Sequence, residues 1–412
     1  MATASAAGIE AMGFHGPTHY VDMAELAVAR DVEPAKYTKG IGQTQMAVAT
    51  PCEDTVTMAT MAARKALHAF DIDPADIGTL IVGTETGVDH SKPVAVYVHE
   101  LLGLKSNCRT FETKHACYGA MAGLTSATDW IMAGRARGRK ALIVASDIAR
   151  YGLRTAGEPT QGAGAVAMVV SDTPSLLRFD ADVMGDYTRQ VMDFWRPLYS
   201  KYAFADGHYS IQCYLDAFTG AFEDACSKVD DPQRFALDQL DAAFYHVPFV
   251  KMARKAHHRH WEAQLGEIGE AQLPAIAESF EQLVAPWLSL NAVVGNIYTG
   301  SLFLALMDYL RSGDAARAGK QVSLFSYGSG CGAAFALGHV GDSAHESAPL
   351  LDPQAELDNR VRLAIDEYET LTRATEDADS NEAPDPDPAQ WNHSDGLFYV
   401  GTREHVRRYE ML

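Results

Sequence analysis

The feature that constrains this chain most is a set of short apolar runs with no polar alternation. LIVGTET (80–86), ALIVASD (141–147) and AVAMVV (165–170) each place consecutive apolar residues beside small or polar ones. A half-exposed strand would alternate, so such runs predict strands covered on both faces. Helical spacing of apolar residues fills the gaps, over 54–70, 93–102 and 117–132. Strands alternating with helices predict an α/β fold with a mixed or parallel sheet. The second half repeats the layout faintly. AAFYHVPF (242–249) is a short run ending at a His-Val-Pro turn, and VSLFSYGSGCGAAFALGHV (322–340) is apolar on both sides of a Gly/Ser turn. Two related halves are expected, over 1–175 and 176–412.

Composition narrows the partners. The 412 residues carry 34 Lys and Arg against 54 Asp and Glu, a net charge of −20. Such a surface repels a phosphate backbone, so no nucleic-acid partner is expected. No apolar stretch approaches membrane-spanning length, so no membrane span is expected. The opening MATASAAGIEAMG has no positive segment followed by an apolar one, so no secretory leader is expected. Cys52, Cys108, Cys117, Cys213, Cys226 and Cys331 lie far apart, without a CxxC pair. That spacing disfavours a zinc site and a disulfide scaffold and fits a reducing cytoplasm. Nine acidic residues against one Arg over 366–387 predict a solvated, mobile connection, drawn at about 366–395. The closing LFYVGTREHVRRYE reads as an ordered edge strand.

Several residues could carry chemistry. Cys117, in FETKHACYGAMAG, stands where a helical pattern begins, directly after Lys114 and His115. A thiol at a helix N-terminus beside cations is expected to shift toward thiolate, the nucleophilic form, although a small buried hydrophobe is the ordinary role of a cysteine. Glu85 in VGTETGVDHSKP sits at the C-terminal end of a buried strand, where partial desolvation makes a carboxylate a usable base; a capping role is the alternative. His246 in FYHVPF is held at a strand end beside Pro248 and reads as catalytic or structural. The YGSGCG turn (327–332) could offer N–H groups to an oxyanion, or be only a tight turn. Its Ser329 lies directly between glycines, unlike a G-x-S-x-G elbow, which disfavours a serine hydrolase. GEPTQGAGA (157–165) is a substrate-lining loop or another turn. The basic run KMARKAHHRHW (251–261) is a candidate seat for phosphate or a plain solvated helix face. Its His257, His258 and His260 lack the i,i+4 spacing of a metal pair, so no metal is expected.

These motifs stand in one order: KGIGQTQMAV, VGTETGVDHSK, FETKHACYGA, ARYGL, GEPTQGAGAVAMVV, DFWRP, FYHVPFVKM, VGNIYTGS and FSYGSG. Together the chain resembles the 3-hydroxy-3-methylglutaryl-CoA synthase family of the thiolase superfamily, from about residue 8 to 332 and more weakly at the end. The resemblance implies a thiolase-like five-layered αβαβα fold built from two related halves, in a homodimer. It implies that Cys117 is acylated by acetyl-CoA. Glu85 would then deprotonate the acetyl methyl, and the carbon attacks the C3 ketone of acetoacetyl-CoA. His246 would hold the second thioester and polarise the carbonyl under attack. Tyr151, Thr160, Asn296, Tyr298, Ser326 and Ser329 match positions lining the pocket, and Lys255 a basic position near the coenzyme. No cofactor beyond the coenzyme A thioester substrates is implied.

The chain departs from the pattern at His115, where many relatives carry Glu or Gln. GIEAMG, PCEDTVT, HSKP and GSGCG look more like the polyketide β-branching members, which act on carrier-bound acyl groups. An acyl carrier protein is therefore an alternative partner, with the basic run and the region of Arg30 as its expected seat. The pocket motifs favour the coenzyme A reaction.

Overall fold

The computed structural model describes residues 6–180, 183–378, 385–391, 393 and 395–412. Ten strands enter one sheet: β1 (Gly8–His15), β2 (Ile77–Gly83), β3 (Arg109–Thr113), β4 (Lys140–Ala149), β5 (Gly162–Ser171), β6 (Leu177–Phe179), β7 (Gly185–Thr188), β8 (Ala242–Tyr245), β9 (Gln321–Gly328) and β10 (Gly332–Val340). The spatial order is β3-β2-β4-β5-β1-β6-β10-β9-β8, with β7 also paired to β10. From one side, β2 and β4 are parallel, β4 and β5 antiparallel, and β5 and β1 antiparallel. From the other side, β8 and β9 are parallel, β9 and β10 antiparallel, and β10 and β6 antiparallel. The same pattern therefore occurs twice. The two copies meet where β1 pairs with β6, at Gly8 with Arg178 and Ile9 with Leu177. This is the thiolase-like architecture of two related halves.

Seven helices matter here: α1 (Thr55–Ala69), α2 (Val94–Leu101), α3 (Gly119–Met132), α4 (Gly207–Ser227), α5 (Met252–Leu265), α6 (Gly300–Leu310) and α7 (Ile365–Ala378). Helices α1 and α2 cover one face of the first half, α3 and α6 lie between the halves, and α4 and α5 cover the second half. The unalternating runs follow from this layering. Leu80, Val82, Leu142 and Val144 pack with Val56, Ala59 and Ala63 of α1. The residues between them, Ile81, Ile143 and Ala145, pack with Ala120, Leu124 and Ala127 of α3. Side chains of a strand point alternately to opposite faces, so a strand buried on both must be apolar throughout.

Two expectations are corrected. The acidic stretch is helical over Ile365–Ala378, because it is amphipathic: Tyr368, Leu371 and Thr375 fall at helical spacing and are buried. Asp366 and Glu367 are exposed, and Glu369 pairs with Arg30 at 3.0 Å. Residues 379–384, 392 and 394 of the expected mobile segment lie outside the described residues. The closing segment is a hairpin of Leu397–Arg403 with Val406–Met411, forming its own two-stranded sheet rather than one edge strand. It is pinned to the start of α1, where Arg407 and Tyr409 each donate to Asp54 at 2.8 Å.

Candidate active site

Three strand ends deliver the site. Cys117 sits in the turn between β3 and α3, after Ala116 at a left-handed φ of 41°. Such a conformation in a residue with a Cβ is uncommon and needs its surroundings to hold it. Those surroundings are close. A Cβ on Gly83, the last residue of β2, would lie 2.3 Å from the Ala120 nitrogen. A Cβ on Gly332, in the YGSGCG turn, would lie 2.3 Å from Cε1 of His115. Ala120 donates its N–H to Thr299 Oγ1 at 2.8 Å, and the Thr113 hydroxyl donates to the Gly119 carbonyl at 2.7 Å. Gly328 and Gly332 thus serve close packing against the turn that carries Cys117.

Glu85 follows β2 on a turn organised by a residue the sequence reading passed over. Asp147 of β4 is fully buried, and its Oδ1 accepts from Thr84 Oγ1 at 2.9 Å, Glu85 N at 2.9 Å, Thr86 N at 3.1 Å and Thr86 Oγ1 at 2.8 Å. The Glu85 carboxyl itself is 8% exposed, and its Oε1 has no hydrogen-bond partner. Burial, then the neighbouring Asp147, pushes Glu85 up to about 8, against the pull of Arg196. Burial also pushes Asp147 up to about 7. A carboxyl so placed spends part of its time protonated at neutral pH and is basic enough to take a proton from carbon.

Cys117 is 9% exposed and packs with Ala149 and Tyr298, with Tyr151 and Phe194 alongside. The three rings stand edge-on at 6.1–6.3 Å and form an aromatic wall. The expectation of a pre-formed thiolate is overturned. Lys114 points to solvent, and burial pushes His115 down, toward the neutral imidazole. Burial pushes the Cys117 thiol well above its ordinary value, and Glu85, Asp147 and Asp193 push the same way. The resting sulfur is a thiol.

His246 follows β8 and is 2% exposed. Its N–H donates to the Phe325 carbonyl at 2.8 Å, which continues the parallel register of Tyr245 with Phe325. That places it level with buried Ser326 on β9, two residues before Gly328, whose missing Cβ faces the His115 carbonyl. Burial pushes the imidazole down to about 3, and Nδ1 has no partner. It is therefore neutral and holds an unused polar atom.

The remaining expected residues divide. Asn296 donates to the Tyr151 hydroxyl at 3.3 Å and accepts the Tyr298 N–H at 2.9 Å, so these three form one unit beside Cys117. Thr160 turns its hydroxyl back on the Gly157 carbonyl at 2.9 Å. Ser329 is half-buried in the turn, and Lys255 is exposed on α5. The basic run is split: Lys251, Arg254 and Lys255 face solvent, whereas His257 and His260 are buried with Nδ1 atoms 3.1 and 3.0 Å from the Tyr245 hydroxyl. Those two histidines belong to the core, not to a phosphate seat. Arg30 is likewise unavailable as a docking cation. It is 6% exposed and forks onto buried Glu158 with two bonds of 2.7 Å.

Asp193 was also passed over, because it lies in DFWRP, away from any apolar run. It is buried and accepts from the Tyr327 hydroxyl at 2.6 Å and the Gly330 N–H at 2.9 Å, which fixes the YGSGCG turn. All six cysteines are free. Among the described residues no helix is long and apolar enough to cross a membrane.

Comparison with known proteins agrees with this geometry. Residues 3–174 match the model of the hydroxymethylglutaryl-coenzyme A synthase N terminal, and 177–265 and 262–411 match that of its C terminal. The chain belongs to the hydroxymethylglutaryl-coenzyme A synthase family. Its members are condensing enzymes of the acyltransferase type. The hydroxymethylglutaryl-CoA synthase of Enterococcus faecalis is 40% identical over 375 residues, covering 90% of this chain and 93% of that protein. The polyketide biosynthesis 3-hydroxy-3-methylglutaryl-ACP synthase PksG of Bacillus subtilis is 35% identical over 380 residues, covering 90% and 88%. Among solved structures, MvaS in complex with 3-hydroxy-3-methylglutaryl coenzyme A matches with a TM-score of 0.91 and 44% identity over 100% of both chains. The curacin-pathway HMG synthase with apo donor-ACP matches with a TM-score of 0.89 and 32% identity, over 99% of this chain and 100% of that one.

Proposed function

We propose that the chain is a hydroxymethylglutaryl-CoA synthase that uses Cys117, Glu85 and His246. Cys117 takes the acetyl group of acetyl-CoA, and the thiol proton passes, in net, to the departing coenzyme A sulfur. The Glu85 carboxylate removes a proton from the acetyl methyl. The resulting carbon attacks the C3 ketone of acetoacetyl-CoA, the neutral His246 imidazole donates a hydrogen bond to the oxygen that gains charge, and that oxygen receives, in net, the proton held by Glu85, which gives the C3 hydroxyl and restores the carboxylate. Water then cleaves the Cys117 thioester, releasing 3-hydroxy-3-methylglutaryl-CoA and restoring the thiol. Tyr151, Asn296 and Tyr298 shape the acyl pocket, with Thr160, Ser326, Ser329 and Lys255 toward the substrate arms. Each step is assigned to a side chain and a thioester, none to a metal or redox cofactor.

The observation that carries this reading is a carboxyl with a buried free oxygen grouped with a buried thiol behind one aromatic wall. A base that acts after acylation needs that exclusion of water. The coenzyme A form is preferred over a carrier-bound one because the Enterococcus faecalis hydroxymethylglutaryl-CoA synthase, at 40% identity, is more similar than PksG at 35%, and because Arg30 is already engaged by Glu158 and Glu369. Free, dispersed cysteines support a cytoplasmic setting; the homodimer rests on the resemblance alone.

Intact-mass measurement after mixing with acetyl-CoA tests this. An acetyl adduct on Cys117, absent from Cys117→Ala, is expected. Glu85→Ala should acetylate but fail to condense. Failure of acetyl-CoA to label the protein, with acetyl carrier protein labelling it, would replace the coenzyme by the carrier. No adduct from either donor would end the proposal.

A further inference from the structure

Arg196 is a charged side chain at the centre of the site that the steps above leave idle. It opens the connection of the short hairpin in which Phe194 pairs with Ala205 and Trp195 with Phe204, an element of the second half. From there it reaches the base of the first half. Its Nη2 donates to the Glu85 carbonyl and lies 3.9 Å from the Glu85 carboxylate, with 19% of the side chain exposed. The hairpin is itself braced. Trp195 and Phe204 stack at 5.9 Å, and Asp193, directly before it, is held by Tyr327 and Gly330.

We propose that Arg196 is a positioning residue that sets the proton affinity of Glu85 and orients its carboxylate toward the acyl group on Cys117. This rests on the reading of Glu85 as the base. The groups facing Glu85 are Asp147 from β4, Cys117 from the nucleophile turn, Tyr151 and Tyr298 from the aromatic wall, and Arg196 from the hairpin. Arg196 is the only cation among them. Asp147 and burial hold the proton on Glu85, and Arg196 works against both. The carboxylate therefore stays ionised often enough to act, while remaining basic enough to deprotonate carbon. The grip on the Glu85 carbonyl adds orientation: a guanidinium bound to the main chain of the residue it tunes cannot drift from its carboxylate. A lysine could supply the charge, but its ammonium on a flexible stem would not hold the same orientation.

The test isolates condensation. Acetyl-enzyme is formed first, confirmed by intact mass, and mixed with acetoacetyl-CoA in single-turnover experiments across pH. The native protein should show an acid limb with its midpoint near the pKa of about 8 held by Glu85. Arg196→Gln should acetylate normally, yet shift that midpoint upward by about one pH unit or more, the usual effect of losing an opposite charge at this range. Below the midpoint, one unit lowers the rate about tenfold, since ionised base falls tenfold per unit. Arg196→Lys should restore the midpoint and leave a reduced plateau, separating charge from orientation. An Arg196→Gln protein with a lowered plateau and an unmoved midpoint would overturn the proposal. If that variant does not fold, a shifted midpoint in Arg196→Lys would overturn it equally, because the charge is kept. Absence of the acetyl adduct in the native protein would instead defeat the assigned reaction, so the two failures are distinct.

Discussion

Replacing Gly83 by Ala should misplace Cys117 without touching it. The added Cβ would lie 2.3 Å from the Ala120 nitrogen, 2.5 Å from its Cα and 2.6 Å from the Gly119 carbonyl carbon. All three are main-chain atoms at the start of α3, so no side chain can rotate away. Ordinary contact between such atoms begins near 3.5 Å, so the helix start must retreat by roughly 1 Å. That movement strains the Ala120 bond to Thr299 and the Gly119 bond to Thr113, and carries Cys117, two residues before Gly119, with it. Overpacking of this kind costs about 1–3 kcal/mol of stability. A displacement of that size at a reacting atom costs on the order of a hundredfold in rate. The assay is the rate of acetyl adduct formation by quenched-flow intact mass, beside a thermal melt. Gly207→Ala, where the added carbon meets nothing within 4 Å, is the control and should match the parent in both. A Gly83→Ala protein that acetylates at the parental rate with an unchanged melt would refute the claim that this contact seats Cys117.

Other outcomes follow from the buried charges. Arg30→Met leaves Glu158, 1% exposed, without its ionic partner and should cost about 3–5 kcal/mol in chemical denaturation; an unchanged denaturation midpoint would count against it. Glu356 is half-buried, which opposes ionisation, yet His15 and Lys65 hold it down to about 2. A lowered carboxyl contributes stability above its unfolded value of about 4.3 and loses it as pH falls toward the folded one. Glu356→Gln should therefore destabilise the protein at neutral pH, and the gap from the parent should close between pH about 4.3 and about 2. A gap constant with pH would show that the pair contributes nothing through charge. His246, pushed down to about 3, should give condensation no acid limb in the ordinary imidazole range near pH 6.5. A limb there that disappeared in His246→Gln would contradict its neutral role.

Much of the scaffold was legible because burial on both faces writes itself into local sequence. LIVG, ALIVAS and AVAMVV became β2, β4 and β5, and the apolar stretches around YGSGCG became β9 and β10. Glu85 and His246 stand at ends of such elements, where an abrupt change from apolar to polar residues marks them, and Cys117 stands where a helical pattern begins. What the sequence hid are groups defined by distant partners. Asp147 reads as the polar end of a strand, and only the fold shows that it gathers four donors from 84–86. Asp193 and Arg196 lie in a segment without periodicity, and their partners are 111 to 137 positions away. The thiol was misjudged because sequence neighbours were counted as spatial ones: Lys114 faces solvent, and the groups that act on Cys117 come from elsewhere. The acidic helix was misjudged because charge was weighed without the spacing of Tyr368 and Leu371.

That helix has a bearing on when the protein becomes competent. The Tyr368 hydroxyl accepts from Gln161 at 3.2 Å and donates to Glu158 at 3.2 Å, and Gln161 in turn receives the Tyr151 N–H at 2.7 Å. Residue 368 is made long after Cys117, so this brace closes on a segment synthesised much earlier. Until Tyr368 emerges and docks, the loop behind Tyr151 lacks its backing. The brace thus joins a late segment of the chain to the loop carrying Tyr151, so the wall beside Cys117 is completed from the far end of the sequence.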